Sequence, residues 1–226
     1  MKKLPFQKIE MHIHTSQSSP CANISAEEMV SMYENAGYHV LVITDHYCKW
    51  VMEQSKAATP EKYVDYFLSG YYAASKAAQN TSLKVLLGAE VNLLESPNDY
   101  LLYGATEDFF RKHPSLFELS LAELSALCHE NNILLFQAHP CRTYCTPADA
   151  ALLDGTEYYN GNPRHNNQNE KATAWGTKNN LIASSGSDFH EAEDLAKGGI
   201  TTREDIQTIE QLRDLLQSGD YELLQP

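Results

Sequence analysis

The chain has 226 residues, of which 42% are hydrophobic and 21% charged, as in an ordinary folded globular protein. Thirty acidic against seventeen basic side chains give a formal net charge of -13, which disfavours duplex nucleic acid as a main partner. The five irregularly spaced cysteines indicate a reducing, cytoplasmic setting, and no apolar run indicates a signal peptide or a membrane span.

Strands and helices alternate in the first half of the chain. Ser25 and Glu28 fit a capping box at the start of a helix, and Gly37 can end its last turn in the left-handed conformation. Thr59 and Pro60 fit the cap and the first turn of a second helix. The predicted elements are a strand over 8–14, a helix from 26, a strand over 40–44, a helix over 60–78 and a strand over 84–92.

The second half continues the alternation. Its predicted elements are strands over 100–103, 133–137, 155–159 and 181–184, and helices over 120–131, 169–179 and 208–216. No linker or repeat divides the sequence, so we expect a single domain over residues 1–226. Strand-helix alternation predicts an α/β protein with a parallel sheet, which either closes as a barrel or stays open and doubly wound.

Metal-binding residue types follow the predicted strands. In a barrel, the carboxyl ends of the strands meet at one face, where active sites are built. The two histidines of a His-x-His strand also share one face, and imidazole and carboxylate suit zinc, manganese or iron. A lone strand histidine is more often a hydrogen-bonded core residue, but packing seven such groups together without a metal costs several kcal/mol. The seven are His12, His14, His46, Glu90, His139, Asp188 and His190.

The motifs His-x-His, Thr-Asp-His, Gly-x-Glu, Ala-His-Pro and Gly-Ser-Asp-x-His occur in this order over almost the whole chain. Together they resemble the polymerase and histidinol phosphatase (PHP) domain family. The resemblance implies a distorted (β/α)7 barrel that binds two or three divalent ions, Zn, Mn or Fe. It assigns one ion to His12, His14, Glu90 and Asp188, a second to Glu90 and His139, and a third to His46 and His190.

Three positions near these motifs need separate interpretation. Asp45 should point away from His46 on strand geometry and is interpreted as a supporting carboxylate. Asp99 stands where many family members have a histidine, and we count it as a candidate metal ligand. The loop over 16–21 lacks the aspartate or histidine that members supply there. Its Cys21 either binds the third ion as thiolate or is merely a small packing residue.

Closely spaced divalent ions can lower the pKa of a bridging water and stabilise both oxygens of an in-line displacement at phosphorus. With the resemblance, this predicts a phosphatase acting on a small phosphate monoester, with Glu90 and Asp188 as catalytic residues. Arg142, three residues after His139, is the candidate phosphate clamp, although a solvated surface arginine explains it equally well. The alternatives are an amidohydrolase-type enzyme, which typically needs a bridging lysine, and a non-enzymatic or regulatory metal-binding PHP module.

Overall fold

The computed structural model describes residues 6–226, which contain ten strands and seven α-helices. The strands are β1 (Gln7–Ile13), β2 (Val40–Ile43), β3 (His46–Tyr47), β4 (Lys84–Asn92), β5 (Asp99–Tyr103), β6 (Leu134–Gln137), β7 (Gly155–Asn160), β8 (Ile182–Gly186), β9 (Ile200–Thr202) and β10 (Glu222–Leu223). The helices are α1 (Ala26–Asn35), α2 (Lys49–Ser55), α3 (Pro60–Ala78), α4 (Glu107–Lys112), α5 (Leu121–Glu130), α6 (Asn169–Lys178) and α7 (Ile209–Ser218).

Every predicted strand and helix is present, and β3, α2, α4, β9 and β10 are additional elements. The helix ends follow from local hydrogen bonding. Thr59 caps α3 by accepting from the Lys62 N–H, with Pro60 in the first turn. The predicted capping box of α1 is only half formed, because Ser25 accepts from the Glu28 N–H while no return bond from the Glu28 side chain is made. None of the helices in residues 6–226 is both long and apolar enough to cross a membrane.

The strands form one sheet in the order β10-β9-β1-β2-β4-β5-β6-β7-β8, with β3 paired to β4. The sheet curls until its far end meets β1, where Ile13 forms a parallel bridge with Phe189. The His14 N–H donates to the Phe189 carbonyl across this junction at 3.0 Å. The result is the nearly closed α/β barrel that the sequence motifs implied.

The prediction of a parallel sheet was wrong at one predicted strand, β5, and the additional strands β9 and β10 are antiparallel as well. β5 is antiparallel to both β4 and β6, and β9 is antiparallel to β1 and β10. Only residues 93–98 join β4 to β5, which is too short for the crossover that a parallel pair needs. The amino end of β5 therefore lies at the same barrel face as the carboxyl ends of β4 and β6.

Buried apolar side chains hold this barrel together. One cluster joins residues of β1, β2, β5 and β6, such as Met11, Val42 and Phe136, to the apolar face of α7. α7 contacts both β5 and β8, so it lies across one opening of the barrel. Two further clusters pack α1, α3 and α5 against the outside of the sheet. This packing fixes the strands whose ends carry the polar residues.

Candidate metal centre

The eight predicted metal ligands lie together at one face of the barrel. β1 carries His12 and His14, β3 begins with His46, and β4 carries Glu90. The other four are Asp99 at the start of β5, His139 just after β6, and Asp188 and His190 just after β8. Asp99 reaches this face because β5 is reversed, which pairs it with Asn92 near the end of β4.

Four of these side chains converge on one point. His12 Nε2 is 3.1 Å from His14 Nε2, 3.2 Å from Glu90 Oε1 and 3.5 Å from Asp188 Oδ1. His14 Nε2 is 3.4 Å from both Glu90 Oε2 and Asp188 Oδ1. Tetrahedral nitrogen and oxygen ligands of zinc stand about 3.3 Å apart when each is about 2.0–2.1 Å from the ion. His12, His14 and Glu90 therefore fit a divalent cation, and Asp188 lies beside both imidazoles.

Glu90 connects the parts of the centre. Its Oε1 is 3.0 Å from His139 Nε2, and its Oε2 is 2.9 Å from His46 Nδ1. The carboxylate is only 1% exposed, and both of its oxygens face imidazole nitrogens. A buried carboxylate surrounded by imidazole nitrogens is typical of a centre that can hold a cation.

Asp99, His139 and Cys145 form a second group of potential ligands. Asp99 Oδ2 lies 3.8 Å from His139 Nε2, and Cys145 Sγ lies 3.7 Å from His139 Nδ1. Burial and the nearby charge of Glu90 raise the pKa of Asp99 to about 6. Burial lowers the pKa of His139, as does Arg142, but hydrogen bonds with Cys145 and Glu90 outweigh them and raise it to about 10.

His14, His46 and His190 form a third group. The His46 and His190 side chains are 19% and 13% exposed, so this group lies at the mouth of the centre. The thiol of Cys21 lies near these two imidazoles. Burial raises the pKa of this thiol, but the two imidazoles more than compensate and bring it to about 6.

The buried imidazoles and carboxylates shift one another's pKa. Burial lowers the pKa of His12, but Glu157, Glu90 and Asp188 raise it well above its ordinary value. Burial raises the pKa of Glu90, but His12 and His46 hold it well below the usual range. The pKa of His14 is lowered by burial and by His190 and His46. Without a cation, the carboxylates are thus balanced by imidazole protons, which a metal ion has to displace.

Glu157 on β7 is a buried carboxylate that the sequence motifs missed. Its Oε1 lies 2.9 Å from His12 Nδ1, while its Oε2 accepts from the His139 N–H at 2.8 Å and from Asn160 Nδ2 at 2.9 Å. A carboxylate on Nδ1 fixes the tautomer of His12 and leaves the lone pair of Nε2 free for a metal. The only sequence signal was an acidic residue inside the otherwise uncharged strand Gly155–Asn160.

Arg142, the predicted phosphate clamp, is 5% exposed and lies inside the centre. Its Nη2 donates to Asp188 Oδ2 at 2.6 Å and to Asn160 Oδ1 at 3.2 Å. Its Nε donates to Asn167 Oδ1 at 2.8 Å. Arg142 is therefore not a solvated surface residue, and its guanidinium has a fixed orientation next to one of the candidate metal ligands.

Asp45 faces away from the histidines, as strand geometry predicted. It accepts from the N–H and hydroxyl of Thr15 at 2.7 and 2.8 Å and from Ser19 Oγ at 2.7 Å. Ser19 Oγ in turn accepts from the His46 N–H at 3.1 Å. Asp45 thus ties the loop after β1 to the start of β3.

Two candidate ligands have an uncommon backbone conformation. His139 has a φ of 30° and Asp188 a φ of 51°, in the left-handed region that side chains other than glycine rarely adopt. Such residues cost about 1–3 kcal/mol each and persist where the surroundings impose them. Here the Glu157 carboxylate holds the His139 N–H, and Asn162 Nδ2 donates to the Asp188 carbonyl at 3.0 Å.

A cavity of about 620 Å³ shares Asn160 and Asn167 with the surroundings of the Arg142 guanidinium, although neither Arg142 nor any of the eight candidate ligands lines it. The rest of its wall includes His165, Lys171 and Lys197. Its lining is thus rich in amide and basic groups, which suits a polar or anionic compound.

Residues 10–222 match the family model of the PHP domain. None of the curated proteins matches the chain. Among solved structures, a two-domain Bacteroides vulgatus protein containing a predicted PHP-like metal-dependent phosphoesterase is 13% identical, with a TM-score of 0.70. That alignment covers 100% of this chain but 66% of the Bacteroides protein, so this chain spans just under two thirds of its length.

Two other solved structures share the architecture. The lesion-specific endonuclease Q of Pyrococcus furiosus is 14% identical, with a TM-score of 0.65, over 97% of this chain and 58% of the nuclease. An amidohydrolase of Chromobacterium violaceum, with bound sulfate and no metal, is 16% identical, with a TM-score of 0.58, over 96% of this chain and 98% of that one. At these identities the likeness shows a shared fold.

Proposed function

Because the chain belongs to the PHP domain family, we propose that it is a phosphatase that hydrolyses a small phosphate monoester in a centre of two or three divalent ions. The observation that carries the proposal is the meeting of His12 and His14, whose Nε2 atoms are 3.1 Å apart and lie 3.2–3.5 Å from carboxylate oxygens of Glu90 and Asp188. Such spacing fits ligands of one shared ion, and imidazole and carboxylate are suitable donors for it.

The donor groups divide among the ions as follows. The first ion would be held by the four converging side chains, and Glu90 would also contact the second ion together with His139 and Asp99. The third would be held by His46 and His190. Bound divalent ions supply Lewis acidity for the phosphoryl oxygens and lower the pKa of an attacking water.

The surrounding residues orient this machinery. Glu157 keeps the proton of His12 on Nδ1, so that Nε2 stays a lone-pair donor. Arg142, fixed by Asp188, Asn160, Asn167 and Tyr144, would bind a phosphoryl group beside the ligands through the remaining N–H of Nη1. We assign Glu90, Asp188 and Arg142 as the catalytic residues.

The adjoining cavity supports a small polar ester. Its volume of about 620 Å³ accommodates a compound of metabolite size, and its amide and lysine side chains favour a hydrophilic leaving group. The net charge of -13 opposes a long nucleic acid, although the endonuclease Q likeness makes a damaged duplex the second candidate substrate. An amidohydrolase-type centre is less well supported, because none of the ten strands in residues 6–226 ends in lysine.

The test is release of inorganic phosphate by protein loaded with zinc, manganese or iron, from a panel of sugar, nucleoside and amino-alcohol phosphates. A duplex with an abasic site and a simple amide are assayed as substrates of the two alternative activities. His14→Ala and Asp188→Ala should lose activity at least about 100-fold, because each removes a ligand of the first ion. His129→Ala, on the exposed face of α5, is the matched control. A protein that binds only trace metal, or variants as active as the parent, would refute the proposal.

A further inference from the structure

The segment between β7 and α6 forms most of a cavity that the candidate metal ligands do not line. The cavity has a volume of about 620 Å³, and its wall comes from residues of the segment 159–171 together with Lys197. Three of the lining side chains, Asn160, Asn162 and Asn167, are buried. Part of the wall is therefore a fixed part of the fold.

Hydrogen bonds hold these buried amides in place. Asn167 Nδ2 donates to the carbonyls of Asn160 and Asn162 at 3.0 and 3.1 Å, and Asn162 Nδ2 donates to the Asp188 carbonyl at 3.0 Å. The Oδ1 atoms of Asn160 and Asn167 both accept from the Arg142 guanidinium. The cavity is thus held next to the arginine that is assigned to the phosphoryl group.

The amide atoms left for a ligand are mainly hydrogen-bond donors. Each asparagine and glutamine side-chain oxygen of the wall already accepts a hydrogen bond. These side chains are Asn160, Asn162, Asn166, Asn167, Gln168 and Asn169. By contrast, Asn162 Nδ2 and Asn169 Nδ2 each use only one of their two N–H groups within residues 6–226. The wall therefore favours a ligand that only accepts, as carboxylate and phosphate groups do.

The charged side chains of the wall favour the same class of ligand. Lys171 and Lys197 line the cavity, against Glu170 as the one acid in its wall. Lys112 is the one lysine that forms an ion pair within residues 6–226, so both cavity lysines lack one. The Lys197 backbone packs against Gly161, where a Cβ would lie 2.0 Å from the Lys197 carbonyl oxygen. A local excess of lysine in a chain with 30 acidic and 17 basic residues indicates an anionic ligand.

The first turn of α6 contributes to the same wall through Asn169 and Glu170. Gln168 precedes the helix, and its side chain makes no capping hydrogen bond. Uncapped N–H groups at a helix start carry partial positive charge. The helix end therefore adds to the positive field of the two lysines.

We propose that this cavity binds an anionic group, a carboxylate or a phosphate, with Lys171 and Lys197 as its charged contacts. The group belongs either to the ester itself or to a free anion. The first source rests on the proposed function. An ester whose phosphate binds at Arg142 would extend past Asn160 and Asn167 into the cavity, which makes monoesters with a second acidic group the preferred substrates.

Titration of sulfate into metal-free protein, followed by calorimetry, measures the site without catalysis. We expect Lys171→Gln/Lys197→Gln to bind sulfate at least about tenfold more weakly, because each lysine supplies a charge-assisted hydrogen bond. Lys171→Arg/Lys197→Arg keeps both charges and should retain the affinity. Lys84→Gln/Lys178→Gln removes the same charge at exposed positions outside the cavity and is the matched control. An affinity that the first variant keeps, or that the control loses equally, overturns the inference.

Two pairs of esters distinguish the sources, because the members of each pair differ by a carboxylate in place of a hydroxymethyl group. They are 3-phosphoglycerate with glycerol 3-phosphate, and 6-phosphogluconate with sorbitol 6-phosphate. If the group belongs to the ester, one acid or both should have a KM at least about tenfold lower than its partner. Lys171→Gln/Lys197→Gln should abolish this ratio while kcat stays nearly unchanged.

Equal KM values within both pairs, with sulfate binding that depends on the lysines, identify a free anion as the occupant. Failure of the metal-loaded protein to hydrolyse any monoester refutes the proposed function. Sulfate binding that is independent of Lys171 and Lys197 refutes this inference alone.

Discussion

Replacement of Glu157 by glutamine tests whether the buried carboxylate on β7 prepares His12 for metal binding. Glu157 Oε2 accepts two hydrogen bonds, from the His139 N–H and from Asn160 Nδ2, so the glutamine carbonyl has to take that position. The glutamine NH₂ group then faces His12 Nδ1, which must become an acceptor. The His12 proton moves to Nε2, the nitrogen that faces His14 and Glu90, and that nitrogen loses its lone pair for a metal.

Loss of a hydrogen-bond partner behind a metal-ligating histidine typically lowers metal affinity 10–100-fold, or about 1.4–2.7 kcal/mol. We expect Glu157→Gln to fall in this range for zinc, measured by competition with a chelating indicator. Glu222→Gln changes an exposed strand glutamate and should leave the affinity unchanged. Circular dichroism establishes that both variants are folded. A Glu157→Gln protein that binds zinc as tightly as the parent would contradict the assignment of Nε2 of His12 as a ligand.

Three further predictions concern the contact of α3 with Asp45, the thiol of Cys21 and the guanidinium of Arg142. Gly70 lies in α3, and Gly70→Ala places a Cβ against the side chains of Asp45 and Thr15. Urea unfolding should therefore show that the free energy of unfolding falls by about 1–3 kcal/mol. A rise of about 1 kcal/mol, as helix propensity alone predicts, would refute the contact. In metal-free Cys141→Ser protein, alkylation of Cys21 should be slow at low pH and become faster with a midpoint near pH 6. Burial raises the pKa of the Cys21 thiol, but His190 and His46 stabilise the thiolate more strongly. A midpoint near the ordinary pKa of 9 would exclude this stabilisation. Arg142→Lys keeps the charge but loses the planar fork that contacts Asp188 and Asn160, so the KM for a monoester should rise about tenfold.

Residue order along the chain was sufficient to place the candidate ligands, because they follow strands whose apolar runs are easily recognised. His12 and His14 share a strand face because side chains alternate along a strand. Asp188 and His190 lie next to β1 because the barrel closes there, with Phe189 bridged to Ile13. The proximity of these residues could therefore be predicted from the local sequence pattern together with the expectation that the barrel closes. Whether each residue binds metal stays a prediction.

What the sequence did not predict depends on contacts between distant segments. Glu157 reaches His12 only through the pairing of β7 with β6 and β8, and nothing near it in sequence signals that register. β9 has three residues and forms because it pairs with β1, almost the whole chain away. The reversal of β5 was missed because alternation with helices suggests parallel strands, whereas the short 93–98 connection imposes a hairpin.

The left-handed backbone at His139 and Asp188 has an evolutionary consequence. At φ values of 30° and 51°, glycine fits these positions without strain, so retaining a histidine and an aspartate costs the fold about 1–3 kcal/mol each. Backbone strain alone therefore favours glycine at both sites, and the contacts of the side chains, such as the pairing of Asp188 with Arg142, oppose it. In a lineage that no longer needs the centre, these two positions should be among the first to change. Glycine there would identify a relative that keeps the barrel but has lost the metal centre.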